Sequence, residues 1–341
     1  MSSRTVEASA PARIDLAGGT LDLWPLHVLH PGSVTVNVAI DRRAACRVRT
    51  DGNGILVETP ERGLQRRAVR ASDLLDDPAT ALVGSMLEAL GAGGPLEIAL
   101  SSGVPWGSGL GGSSALTIAL SAAFERLGWP RPSGASPVEF ARDVETRVLG
   151  KPAGVQDYYP PLEGGLHALW FEAGCVRSER RELDVEQWGR HLTLFDTGAA
   201  HSSGMNNWEV FRTRLEGDGL VAGHLEGVRA AAVGMAEAAA ALDFEAMGRA
   251  LDQEWEARRL LAPVVSTPSI EAAIDAARRA GAWGGKACGA GGGGCVVFLS
   301  PEHRTASVAR ALAEGGFGGR VLRVAVENRG VAVSASAQAT V

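Results

Sequence analysis

The chain has 341 residues, 45% of them apolar and 21% charged, with a net charge of −6. Its length supports two domains rather than one small core. The acidic balance argues against a nucleic-acid binder, and no run of about 18 apolar residues offers a membrane span. The amino terminus lacks a signal-peptide core. Cys46, Cys175, Cys288 and Cys295 lack zinc-type spacing. A reduced, cytoplasmic protein with a small-molecule ligand is the expectation, its oligomeric state not readable.

In chain order, residues 1 to about 60 read as strands and turns, with Val34, Val36 and Val38 at period two. The alternating run Leu96–Leu100 is a strand. It leads through Val104-Pro-Trp-Gly-Ser-Gly-Leu-Gly-Gly-Ser-Ser-Ala115 into an alanine-rich helix running to about Leu127. Ser136-Pro-Val-Glu139 is a capping box with Pro at the first helical position. The helix it opens carries the apolar stripe Phe140, Val144, Val148 and stops at Gly150. Strands are expected at 165–171 and 192–196, and long helices near 220–242 and 244–261. Thr267-Pro268 opens a further helix that ends at Gly281. The apolar run Cys295–Leu299, a helix near 302–315 and a strand over 320–326 follow. Residues 176–190 read as polar and irregular, so a domain boundary is placed there, giving 1–183 and 184–341.

Strand, glycine loop and helix together suggest a phosphate site. Glycines let backbone N–H groups approach an anion, and the helix start adds unpaired donors and positive potential. Ser113 and Ser114 could cap the helix or meet a phosphate-bound metal. The Walker A pattern fails, because Gly112 is followed by serine rather than lysine. Gly107, Gly109 and Gly112 satisfy the dinucleotide fingerprint, but loop-like sequence stands where its acidic strand should end. H-R-D and D-F-G are both missing, which excludes a protein-kinase loop.

Read as Pro-x-x-x-Gly-Leu-Gly-(Gly)-Ser-Ser-Ala, the segment closely resembles the phosphate loop of the GHMP small-molecule kinases. That resemblance implies an α+β, two-domain fold: an N-terminal domain like the second domain of ribosomal protein S5, then a ferredoxin-like α/β domain. It also implies ATP and Mg²⁺, with the ATP phosphates on Gly107, Ser108, Gly109, Leu110, Gly111, Gly112, Ser113 and Ser114.

Three further segments extend the resemblance. Pro11-Ala-Arg-Ile-Asp-Leu-Ala-Gly-Gly-Thr-Leu-Asp22 is a short strand broken by Gly18-Gly19. Asp22 there is either a solvated turn residue or a hydroxyl acceptor. The segment resembles the first motif of the sugar branch, which implies that Arg13 is catalytic and that Asp22, Gly18 and Gly19 meet the sugar. The Ala-Gly-Gly turn is similar to heptose-phosphate kinases and fucokinases rather than galactokinases.

Glu145 sits at the flank of a buried stripe, where it needs Mg²⁺ or an ion pair with Arg142 or Arg147. Gly150-Lys-Pro-Ala-Gly-Val-Gln-Asp157 resembles the segment whose aspartate takes the hydroxyl proton, which implies that Asp157 is the base. It also implies that Ser113 or Ser114 holds the metal with Glu145.

Lys286-Ala-Cys-Gly-Ala-Gly-Gly-Gly-Gly-Cys295 is a flexible hairpin or, by resemblance, the loop that closes the site, with Gly291 and Gly292 at the substrate. Lys286 either touches phosphate or is solvated. Ser202–Asn207 either lines the sugar pocket or is a polar surface loop. If the substrate is already phosphorylated, Arg42, Arg43 and Lys151 are the cations available.

The implied activity is phosphorylation of a sugar or sugar-phosphate hydroxyl, the anomeric one by analogy, in the manner of a heptose 7-phosphate kinase. A mevalonate-type kinase and a non-catalytic sugar- or nucleotide-binding regulator are the alternatives.

Overall fold

The computed structural model describes residues 3–172, 174–199 and 203–337. Valine alternation and a long uninterrupted register make the first two strands the spine of the molecule. β1 (Arg4–Ala17) and β2 (Val34–Arg49) pair antiparallel, with irregularities at Pro11/Ala12 and Asp15/Ala17. β3 (Ile55–Thr59), β4 (Leu64–Ala68) and β5 (Leu96–Ser101) extend this sheet beyond β2. β6 (Leu166–Glu172) and β7 (Cys175–Arg181) join it on the amino-terminal half of β2. Helices Ala81–Leu90, Gly112–Leu127 and Pro137–Leu149 cover one face, burying Val6, Ile98, Ile118, Phe124 and Val144.

β8 (Leu192–Asp196), β9 (Gly284–Ala287), β10 (Cys295–Leu299) and β11 (Arg320–Leu322) form a second, antiparallel sheet in the order β11-β8-β10-β9. With helices between β8 and β9 and between β10 and β11, this is the β-α-β-β-α-β arrangement of a ferredoxin-like domain. Helices Gly219–Ala241 and Phe244–Arg258 lie between the sheets, and their Ala232, Met235, Met247 and Leu251 share one core with Ile14, Val36 and Val297. The two-domain α+β architecture is therefore the one expected.

Helix Pro137–Leu149 begins where its capping box says, with both reciprocal bonds of Ser136 and Glu139 made. Several elements differ from expectation. Residues 175–181 are not irregular but form β7, whose mostly exposed, polar side chains hide its pairing with β6. Helix Ala81–Leu90 and helix Ser203–Leu215 were not anticipated. The strand expected over 320–326 stops at Leu322, and β12 (Ala332–Ala337) crosses back to pair with β1. The segment expected as a second domain, 184–341, thus gives its last strand to the first sheet.

Candidate active site

Between the sheets lies a cavity of about 300 Å³. Its floor and walls come from the glycine loop 107–112, the start of helix Gly112–Leu127, Arg13, Asp22, Glu145 and Asp157. The helix starts from Gly111 in the left-handed region at φ 69°, and no side chain caps it. Its first N–H groups are therefore available to an anion in the cavity. A side chain at Gly111 would also press on the Arg13 guanidinium, 3.2–3.4 Å from a built Cβ. The carboxy-terminal glycine loop packs against the phosphate loop from behind. Cys295 N donates to Ser108 O at 2.8 Å, and a Cβ on Gly294 would stand 2.6 Å from the same oxygen.

Ser113 and Ser114 do not cap the helix. Ser114 Oγ donates to Glu145 Oε2 at 2.7 Å, and Ser113 Oγ donates to Oε1. The ion-pair reading of Glu145 is corrected, since Arg142 binds Asp143 and Arg147 binds Glu88. Burial pushes the Glu145 carboxyl above its ordinary value, and the two serine hydroxyls and Tyr158 only partly offset that. A buried carboxylate and two hydroxyls are the hard oxygen donors that suit Mg²⁺, which usually keeps water and phosphate as its other ligands. Among the described residues no group of three or more His, Cys, Asp or Glu could hold a metal alone, so the fit is to an ion arriving with phosphate.

Arg13 is buried and reaches three ways. Nε and Nη2 both donate to Asp157 Oδ1, at 2.9 and 2.7 Å, while Nη1 donates to Gly109 O of the phosphate loop. Asp157 itself is about a third exposed, at 30%. Asp22 is buried, and its Oδ2 accepts the Gln156 N–H at 3.1 Å. Burial, then the Asp157 charge, pushes its carboxyl up to about 7. Gly154 has an ordinary φ, yet a side chain there would displace the Asp22 carboxylate, since a Cβ would lie 1.8 Å from Asp22 Oδ2.

Of the residues anticipated, Arg13, Gly19, Asp22, Glu145, Asp157 and the whole loop Gly107–Ser114 line this one cavity. Gly18 does not: its N–H donates to Glu254 Oε1 at 3.3 Å, behind the turn. Gly291 and Gly292 do not either; they fold against Val265, whose carbonyl accepts Gly292 N–H at 2.7 Å, and Gly289 and Ala290 take their place. Lys286 neither meets phosphate nor is solvated. It is wholly buried, 3.0 Å from Asp15 Oδ2 and 3.2 Å from Glu254 Oε1. Arg42 and Arg43 bind the segment 323–330 and the strand around Ser9, away from the cavity. Of Ser202–Asn207, Ser202 and the side chains of 203–206 lie outside the described residues, while Asn207 lines the cavity. Thr20, Gln156 and Tyr158 also line it, and their one signal in the sequence is their place beside Gly19 and Asp157.

Comparison with known proteins agrees with this fold. Residues 79–165 match the GHMP kinases N terminal domain and residues 235–317 the GHMP kinases C terminal domain. The chain is 26% identical over 323 residues to D-glycero-alpha-D-manno-heptose 7-phosphate kinase of Campylobacter jejuni, covering 91% of this chain and 93% of that one. It is 29% identical over 313 residues to a mevalonate kinase of Aeropyrum pernix, with 88% and 90% covered. A D-glycero-D-manno-heptose 1-phosphate kinase structure from Bacteroides thetaiotaomicron superposes with a TM-score of 0.74 at 23% identity, over 96% of this chain and 98% of that one, a likeness of fold.

Proposed function

The chain belongs to the GHMP kinase family, and from that premise we propose that it transfers the terminal phosphoryl group of ATP to a hydroxyl of a sugar or sugar phosphate. The heptose-phosphate kinases serve as the model, and the anomeric hydroxyl is the acceptor by analogy. The observation that carries this reading is the placement of Asp157. Among the described residues its carboxylate is gripped on Oδ1, by an arginine that also holds the phosphate loop.

Phosphoryl transfer depends on positioning and charge neutralisation more than on covalent chemistry. Glycine-loop N–H groups and the uncapped helix start would hold the ATP phosphates. Glu145 with Ser113 or Ser114 would hold Mg²⁺, which when bound neutralises phosphate charge. Asp157 would orient the attacking hydroxyl and receive its proton, while Arg13 keeps base and phosphate loop in register. Asp22 would accept hydrogen bonds from neighbouring hydroxyls, a task its ionised form performs. With Asp157, Glu145 and both serines together in one cavity, a non-catalytic regulator is the weaker reading.

ADP release from Mg-ATP across fucose, galactose, glucuronate, heptose 7-phosphate and mevalonate tests the reading. Turnover of a sugar is the expected result. Turnover of mevalonate alone would transfer the protein to the mevalonate branch, a rival that the Aeropyrum pernix relative keeps in view.

A further inference from the structure

A buried charge network runs beneath the Gly18–Asp22 turn. Asp15 of β1, Lys286 of β9, and Glu254 and Arg258 of helix Phe244–Arg258 are all at most 1% exposed. Arg258 forks onto Glu254 (Nη2 to Oε1 2.7 Å) and spends its remaining donors on the turn. Nη2 reaches Gly19 O at 2.7 Å, and Nη1 reaches Thr20 Oγ1 at 3.3 Å. Thr20 has φ 78°, a conformation a β-branched residue adopts only when its surroundings impose it. Its hydroxyl donates to Asn207 Oδ1 at 2.9 Å.

The structure gives this chain a direction. A guanidinium only donates, so Thr20 Oγ1 accepts from Arg258, and its one proton lies on Asn207 Oδ1. Asn207 Oδ1 is thereby occupied, and among the described residues the two protons of Nδ2 remain for the cavity that Thr20 and Asn207 both line. Asp22 and Asp157, lining the same cavity, offer acceptors.

We propose that Asn207 is a specificity residue that donates a hydrogen bond from Nδ2 to an acceptor oxygen of the substrate, and that Thr20 and Arg258 are positioning residues that hold its amide in that sense. The inference rests on the kinase reading above. It divides the site by chemistry: the carboxylates take substrate hydroxyl protons, and Asn207 takes an oxygen lone pair, such as a ring or carbonyl-type oxygen or a hydroxyl already donating elsewhere.

The test measures KM for the acceptor and for ATP separately, using whichever compound of the panel the wild type turns over. Asn207→Asp keeps the shape and still accepts from Thr20 but donates nothing. It should raise the acceptor KM by about tenfold or more, with the ATP KM unmoved. Thr20→Val removes the hydroxyl that orients the amide and should raise the same KM by a smaller factor, and Thr20→Ser should restore most of it. Monodeoxy analogues of the acceptor locate the partner. The analogue lacking the contacted oxygen should bind wild type weakly and lose nothing further in Asn207→Asp. An unchanged acceptor KM in Asn207→Asp, or equal behaviour of Thr20→Val and Thr20→Ser, overturns the inference while wild-type turnover leaves the kinase reading intact. Turnover of mevalonate alone overturns the sugar reading and leaves Asn207 to be judged on mevalonate. Silence of the wild type across the panel overturns the kinase reading and this inference with it.

Discussion

Replacing Lys286 with methionine should destabilise the fold in a pH-dependent way. Lys286 is fully buried between Asp15 Oδ2 (3.0 Å) and Glu254 Oε1 (3.2 Å), and Arg258 is the other cation on Glu254. Removing one partner of a buried ion pair leaves an uncompensated charge and costs about 3–5 kcal/mol. Unfolding entropy scales at about 2.1 cal/mol/K per residue, so for a 341-residue chain that loss lowers Tm by roughly 4–7 °C if it unfolds as one unit. In the wild type, burial raises the Asp15 carboxyl, but Lys286, Arg258 and Arg13 outweigh it and hold the group below its ordinary value. Its ionisation therefore contributes stability above the unfolded-state pKa, lost only as pH falls through the lower folded value.

Without Lys286 the burial effect gains, the folded-state value rises, and Asp15 can relieve the penalty by taking a proton. The Tm deficit of Lys286→Met should thus be largest near about pH 8 and shrink toward about pH 5.5. Differential scanning fluorimetry of both proteins over that range is sufficient. A deficit that stays constant with pH, or a variant as stable as wild type at about pH 8, would refute the buried-pair account of Lys286.

Two further outcomes follow from the site. Asp22 accepts sugar hydroxyls at full strength only when ionised, and burial, then the Asp157 charge, lifts it to about 7. Acceptor kcat/KM should therefore climb as pH rises through about 7, and Asp22→Asn should flatten that limb along with raising KM; a limb unchanged in the variant would show that another group titrates. Glu145→Gln leaves one oxygen to accept a serine hydroxyl and weakens the oxygen set for a divalent ion. The Mg²⁺ concentration for half-maximal rate should rise by about tenfold, and an unchanged Mg²⁺ titration would remove Glu145 from the metal site.

What could be read from the sequence was local. Ser136 and Glu139 sit three residues apart, so their capping box is visible as spacing and marks the helix start. Glu145 was suspect because its place on that helix put a carboxylate beside apolar neighbours, and burial bears this out, though not which groups meet it. Pairing across the chain left no such trace. Arg13 and Asp157 are 144 positions apart and Lys286 and Asp15 are 271 apart; the first pair was reachable through resemblance, and the second not at all. Lys286 looked solvated because lysine after a turn usually is, and only the fold brings two buried carboxylates to it. β7 was missed because its side chains are polar on an exposed sheet margin. β12 carries little strand signal because Val333 is its one large apolar residue among alanines and serines, and its partner β1 lies at the other end of the chain.

The most direct measurement is phosphoryl transfer by Asp157→Asn, compared with wild type on the acceptor the panel identifies, alongside ATP binding by both proteins. The substitution removes a carboxylate base while leaving an oxygen for Arg13 to hold. The account predicts a fall in kcat of about 10²–10⁴-fold, the range of general-base contributions, with ATP affinity preserved. Wild-type turnover by Asp157→Asn would contradict it.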